Sequence, residues 1–373
     1  MADTSGLTST TKSDDRLLKT PIWLKLLRRP ELGSISGLIL VVAIFLIYAD
    51  TTMFNLAGIL NILTPSSYLG LLAMGAALLM IGGEFDLSIG SMVALSGLIF
   101  GVCVVNFELP LLVSILICFA LSAAVGFING QIVLKTKLPS FIVTLAFLFI
   151  YRGLTLVGLK IATGGSTQLW GITDRINQES AGINLFFGEA FKDLFAYLSE
   201  VGITPTYENG TPQVIGIPVE VLWFILFTVI ITFVLIKTKV GNWIFAVGGD
   251  ASAARSCGVP VEKVKTSLFI VSAMLASLVA ILTVLDAGST DARRGFQQEF
   301  EAIIAAVIGG CLLTGGYGSI IGAFFGSIIF GMVSIGLTYT EIDQDWYQVF
   351  LGMMLLIAVI FNNFIRKKIT GEK

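Results

Sequence analysis

Charge is almost absent from stretch after stretch of this chain, and nothing else in it limits the fold as strongly. Apolar runs near 33–50, 66–82, 87–105, 109–131, 139–158, 218–237, 266–286, 300–314, 317–338 and 346–364 approach the about 20 residues that ~30 Å of hydrocarbon demands. Backbone polar groups in hydrocarbon must be satisfied inside each segment, so these runs read as helices. Only 13% of the 373 residues are charged and 55% are hydrophobic, whereas a soluble domain carries about 25% charge. The expected fold class is all-α, a polytopic membrane helix bundle of about ten transmembrane helices with a short cytoplasmic helix between the sixth and seventh. Nothing here favours nucleic-acid binding.

The distribution of Lys and Arg orients the bundle. Lys25, Arg28 and Arg29 precede the first run, Lys135 and Lys137 follow the fourth, and Lys237, Lys239, Arg255, Lys263 and Lys265 flank the loop after the sixth. Arg366, Lys367 and Lys368 close the tenth, whereas the opposite loops hold Asp50, Glu108, Glu341, Asp343 and Asp345. The basic side is cytoplasmic, so both termini are expected inside. The organisation is a polar cytoplasmic N-terminal tail, 1–32, a single transmembrane domain, 33–366, and a cytoplasmic tail, 367–373. That domain carries an outer insertion, 159–217, and an inner loop, 238–265. In the insertion, Phe191, Leu194, Phe195 and Leu198 have the spacing of an amphipathic helix.

Several chemistries lose support at once. The chain has no His, the commonest proton shuttle near neutral pH and the commonest metal ligand. Cys103, Cys118, Cys257 and Cys311 have no paired spacing. No metal and no catalytic residue are expected.

Inside this apolar background, IGGEFDLSIGS (81–91) places Glu84 and Asp86 among glycines. Gly82 and Gly83 suit a helix end, and Asp86 or Ser88 suits the cap of the next helix. The segment is either a short inner turn or a break that re-enters the membrane. Other polar candidates for a solute pathway are Ser91, Asn129, Gln131, Ser140 and Thr144, equally suited to helix–helix hydrogen bonds. Phe296 and Glu299 open the eighth run, where an acid favours the helix dipole and a polar group beside an aromatic ring suits a sugar. Arg152, well inside the fifth run, reads most simply as snorkelling outward. Gly318, Gly322 and Gly326 have the spacing of close helix packing, within one subunit or across a dimer seam.

The inner loop reads GGDASAARSCGVPVEKVK (248–265): Asp250 suits an N-cap, and Gly258 with Pro260 ends two short helical turns. This stretch resembles the cytoplasmic coupling segment of permease subunits in bacterial ABC importers for ribose and related simple sugars. The likeness rests on Gly248, Gly249, Ala253, Ala254, Arg255, Gly258, Val264 and Lys265, with Asp250 where that family has Asn. GGEFDLSIGS, with one extra residue before Asp86, AAVIGGCLLTGGYGSIIGAFFG (305–326) and KLPSFIVTLAFLFIYRG (137–153) are similar to further family elements. The resemblance implies a non-enzymatic membrane subunit of the bacterial inner membrane, moving a monosaccharide or similar polyhydroxylated solute by alternating access. It also implies coupling to cytoplasmic ATPase subunits through Gly248, Gly249, Asp250, Ala253, Ala254, Arg255 and Gly258. A periplasmic or extracellular solute-binding protein would feed it, and it would pair as a homodimer or with a second permease. ATP and Mg would belong to the ATPase, since this chain has no GxxxxGK[ST] loop and binds no cofactor itself. A permease for branched-chain amino acids or nucleosides has the same architecture, and an ion-coupled secondary transporter using Glu84, Asp86 and Arg152 belongs to a different class.

Overall fold

The structure, a computed structural model, describes residues 30–176, 182–207 and 211–370. The basic residues Lys25, Arg28 and Arg29 and most of the N-terminal tail lie outside these residues, as does the end of the C-terminal tail. The described residues form a helical bundle: α1 (Pro30–Tyr48), α2 (Leu56–Ile81), α3 (Ile89–Val105), α4 (Leu111–Thr136) and α5 (Ser140–Thr163) come first. The outer insertion holds α6 (Ile172–Arg175) and α7 (Lys192–Glu200), and α8 (Val219–Lys237) returns to the inner loop. There α9 (Lys239–Gly249) and α10 (Ala251–Ser256) precede α11 (Val261–Ala287), α12 (Gln298–Ile308), α13 (Ile320–Gly336) and α14 (Trp346–Thr370). Seven of the described helices are long and apolar enough to cross a membrane, and 89–105 and 346–360 are shorter apolar helices. The protein is a multi-pass membrane protein.

Two helices form the centre. In α2 and α11, 78% of the most apolar window is buried inside protein, against 11% for α1. Small residues allow this closeness: Gly126 of α4 faces the Phe269 carbonyl and Ala273 of α11, where any side chain would hold the helices apart. The peripheral helices keep large apolar groups outward, such as Ile47, Leu116, Phe149 and Ile161. Such a surface suits lipid, because a helix that is apolar all round has no face to offer water.

Four two-residue strands pin the 159–217 insertion and the stretch that follows α11. β1 (Gln168–Leu169) pairs antiparallel with β4 (Thr290–Asp291), in register Gln168↔Asp291, and β2 (Glu189–Ala190) pairs with β3 (Ile217–Pro218). Asp50 caps the turn Thr51–Phe54, accepting from the Thr52 N–H at 2.8 Å and its hydroxyl at 2.7 Å. Those two bonds, the backbone one first, hold its carboxyl below the ordinary value. In the expected amphipathic helix, α7, Phe195 is buried while Phe191 and Leu194 are exposed.

Two of the expected spans differ. The helix expected at 66–82 begins at Leu56, because Asn55 caps it through Gly58 N–H at 2.7 Å and the helix runs on through Pro65. The run at 300–314 is not a span: α12 is 11 residues long and stops at Gly309. At 1.5 Å per residue it extends about 16 Å, roughly half the hydrocarbon thickness. The rest of that crossing is the irregular stretch between α11 and α12. From the α11 end, Thr290 lies against Gly97 and Gly101 of α3, then Arg294 against Gly97, then Gly295 against Gly90, and α12 continues toward the α2 end.

Candidate functional site

Two non-helical segments lie near one another inside this bundle, one ending at the start of α3 and the other packed on its first turn. The first, residues 82–88, follows a sequence with two consecutive glycines, and Gly83 takes φ +79°, a conformation glycine adopts without steric cost. The N–H groups of Gly82, Gly83 and Glu84 still bond the last carbonyls of α2, whereas those further on must find other acceptors. Phe85 N–H donates to the Ser140 hydroxyl at 2.9 Å, and Leu87 N–H to the Thr144 hydroxyl at 3.0 Å. Those acceptors are the first residue of α5 and the residue one turn on, so the segment climbs along α5 as it approaches α3. α2 and α3 do not pack along each other as a tight hairpin would.

Side chains continue the clasp. Ser88 donates to Asp86 Oδ1 from its N–H at 2.8 Å and its hydroxyl at 2.5 Å. Asn129 Nδ2 donates to Ser88 Oγ at 3.1 Å, and the Tyr151 hydroxyl donates to Asn129 Oδ1 at 2.6 Å. A line of hydrogen bonds thus runs from α5 through α4 to the buried Asp86. Ser91 Oγ donates to the Ser88 carbonyl at 2.8 Å. The structure therefore brings together Asp86, Ser88, Ser91, Asn129, Ser140 and Thr144, all buried. Gln131 is not among them: its amide bonds Thr266 Oγ1 at 3.2 Å, joining α4 to α11.

Glu84 turns away from this cluster. Its carboxylate is buried and forms an ion pair with Lys265, in the second turn of α11. A buried charge requires a partner, so Glu84 itself was a sign that a Lys or Arg near a span end must reach it.

The second segment, residues 289–297, packs on Gly90 in the first turn of α3, two residues beyond the first segment, where an added methyl would overlap Glu299 Oε2 and the Gly295 carbonyl. Here arginines replace helical hydrogen bonds. Arg152 donates to the carbonyls of Ala292, Arg294 and Gly295 at 3.2, 2.7 and 3.3 Å, so it points into the protein and does not snorkel outward. The cause is the irregular backbone, whose carbonyls a guanidinium satisfies with its fork of donors. Arg294 donates to the Thr283 and Ser289 carbonyls at 2.9 and 2.8 Å. Arg152 and Arg293 also sit 5.8 and 5.5 Å from the centroid of the exposed Phe296 ring. Along this segment Thr290 Oγ1, Arg294 Nε, Gln298 Oε1 and Glu299 Oε2 are buried with no protein partner. The sequence points to Phe296, Gln298 and Glu299 at the start of the eighth run, but not to Thr290 or Arg294.

At the inner loop, Asp250 caps α10, accepting from Ser252 and Ala253 N–H at 2.8 and 3.0 Å. Gly248 and Gly249 lie in the last turn of α9, one position earlier than the break itself. Gly258 takes φ +83°, and Arg255 reaches Glu262 at 3.3 Å, both side chains exposed. Of the packing glycines, Gly322 faces the Gly309 carbonyl and Gly326 the Ala305 carbonyl, joining α13 to α12. Gly318 precedes α13 and packs on Cys311 and Ile81. Among the described residues no three His, Cys, Asp or Glu groups stand together as metal ligands.

Comparisons with known proteins find relatives along most of the chain. The chain is 30% identical to the ribose import permease protein RbsC of Haemophilus influenzae over 341 residues, covering 91% of this chain and 94% of that protein. It is likewise 30% identical to RbsC of Escherichia coli (strain K12), over 89% of this chain and 94% of that protein. The xylose transport system permease protein XylH of Haemophilus influenzae is 29% identical over 88% of this chain and 94% of its own length. No solved structure matches. Residues 58–359 match the family described as branched-chain amino acid transport system / permease component, and this chain belongs to that family of membrane transport permeases.

Proposed function

We propose that this chain is the membrane-spanning subunit of an ATP-driven, binding-protein-dependent importer that carries a monosaccharide or similar polyhydroxylated solute across the bacterial inner membrane. The observation that carries the reading is likeness to ribose and xylose permeases along about nine-tenths of the chain, through both broken segments and the inner loop. Chemistry supports it. A neutral solute rich in hydroxyls needs acceptors and donors, and the 290–299 stretch holds four without protein partners, Thr290 Oγ1 and Gln298 Oε1 on uncharged side chains and Arg294 Nε and Glu299 Oε2 on charged ones. Leaving each of them unpaired costs about 1–3 kcal/mol, so a hydroxyl that reaches this stretch gains a partner. Asp86, Ser88, Ser91, Asn129, Ser140 and Thr144, with Phe296 and Glu299, are the proposed pathway.

The 248–258 segment is the proposed seat of a cytoplasmic ATPase subunit, which supplies the ATP and Mg chemistry this chain lacks. An external binding protein delivers the solute, both termini lie in the cytoplasm, and the chain pairs with a second permease copy or a partner permease. The description of the family itself supports a second reading, in which branched-chain amino acids are the cargo. Proteoliposomes containing the chain, its ATPase and its solute-binding protein test both. ATP-dependent uptake of labelled ribose or xylose, with leucine excluded, is the expected result. Uptake of leucine alone would select the second reading, and uptake without the ATPase would sink both.

A further inference from the structure

Three glycine-containing stretches from distant parts of the sequence touch at one point. Gly83 lies in the first broken segment, Gly248 in the last turn of α9, and Gly315 and Gly316 in the loop between α12 and α13. Gly316 N–H donates to the Ile81 carbonyl at 2.9 Å, taking up an acceptor left open by the end of α2. A methyl group on Gly248 would overlap that same Ile81 carbonyl and come within 2.7 Å of the Gly316 nitrogen. One on Gly315 would lie 2.6 Å from the Gly248 carbonyl and 2.9 Å from Gly83 Cα. Backbone meets backbone here with no side chain between, so a shift of one stretch cannot be absorbed by rotamer changes.

The Glu84–Lys265 ion pair sits beside this contact. Its side chains are 10% and 15% exposed, against 64% and 68% for the Arg255–Glu262 pair. Lys265 is in the second turn of α11, and α10 leads directly into that helix. The inner loop therefore grips the broken segment twice: Gly248 at its upstream end touches Gly83, and Lys265 at its downstream end holds the adjacent Glu84. Asp86 and Ser88 follow within four residues of Glu84.

We propose that the Glu84–Lys265 pair and the Gly83–Gly248–Gly315 contact form the joint through which movement of the 239–265 segment displaces the 82–91 segment, with Glu84 and Lys265 as positioning residues. Glu84 thus leaves the solute pathway. The inference rests on the importer reading above, since it takes the inner loop as the seat of the ATPase.

The test uses the full complex in proteoliposomes, with ribose as probe, and reads solute moved per ATP hydrolysed. Glu84→Gln and Lys265→Met are each expected to lower that ratio about tenfold, in the range of coupling energies carried by packed networks. The exchange E84K with K265E in one chain is expected to restore it, which loss of packing alone would not allow. Single variants that assemble and keep the wild-type ratio overturn the joint, as does an assembled exchange variant that stays as uncoupled as the singles. A second measurement needs no variant: amide hydrogen exchange over 82–88 in the wild-type complex is expected to change on ATP binding together with exchange over 246–258. A change confined to 246–258 overturns the joint even where the substitutions prevent assembly. Absence of any ATP-dependent uptake by the wild type, in contrast, overturns the importer reading and the joint with it.

Discussion

At the scale of single residues, buried polar groups decide where the backbone goes. Asp86 is held by Ser88, Ser88 by Asn129, and Asn129 by Tyr151, so the last member carries an effect to the first. Tyr151→Phe removes one hydroxyl and leaves Asn129 Oδ1 without its donor. We expect a loss of about 1–2 kcal/mol in stability, measured by unfolding of the detergent-solubilised protein. The variant is also expected to raise exchange of the Ser88 amide; unchanged exchange would mean that the line of bonds does not hold the segment. Neighbouring glycines give a cleaner contrast. Gly248→Ala meets the Ile81 carbonyl while Gly249→Ala meets nothing within 4 Å. The first should lower stability by about 1–3 kcal/mol, as overpacking does, and the second by less than that in the same thermal assay.

At the scale of elements, the informative ones are those that fail to be regular. The sequence makes α4, α5, α8 and α11 legible, because uninterrupted apolar runs permit only helices in lipid. It made the 82–88 break legible through paired glycines and two acids. The 289–297 stretch was hidden, because the residues that stabilise it lie elsewhere: Arg152 sits on α5, about 140 positions before the carbonyls it satisfies. Local pattern carries no trace of such a contact, although a lone arginine deep in an apolar run was the available sign. The 300–314 run misled for a related reason, since Ala302, Ala305, Ala306 and Val307 are buried where α12 packs against α2 and α13. Arg152→Met strands three carbonyls and is expected to cost about 2–4 kcal/mol. Arg152→Lys should recover only part of this, because an ammonium lacks the planar fork of donors. Equal stability of the Met and Lys variants would show that the fork is not what holds the segment.

At the scale of the whole molecule, polarity across the membrane follows from the placement of basic groups, and the protein contains its own reporter of it. Cys257 is exposed beside α10, while Cys103, Cys118 and Cys311 are buried. A membrane-impermeant maleimide should label inside-out vesicles at this position and leave intact cells unlabelled. Labelling of intact cells would invert the proposed topology. The two ion pairs made by the 239–265 segment have a further consequence. The exposed Arg255–Glu262 pair lies in water, where the screening length shrinks from about 10 Å at 0.1 M salt to about 3 Å at 1 M. Such a pair contributes about 0–1 kcal/mol, and concentrated salt should erase even that. Glu84–Lys265 is shielded by protein, and removing one partner is expected to cost about 3–5 kcal/mol at either salt concentration. Unfolding of Glu84→Gln and Arg255→Gln at the two salt concentrations would separate them. This end of the bundle thus carries one electrostatic contact that the ionic strength of the surrounding fluid can tune and one that it cannot reach.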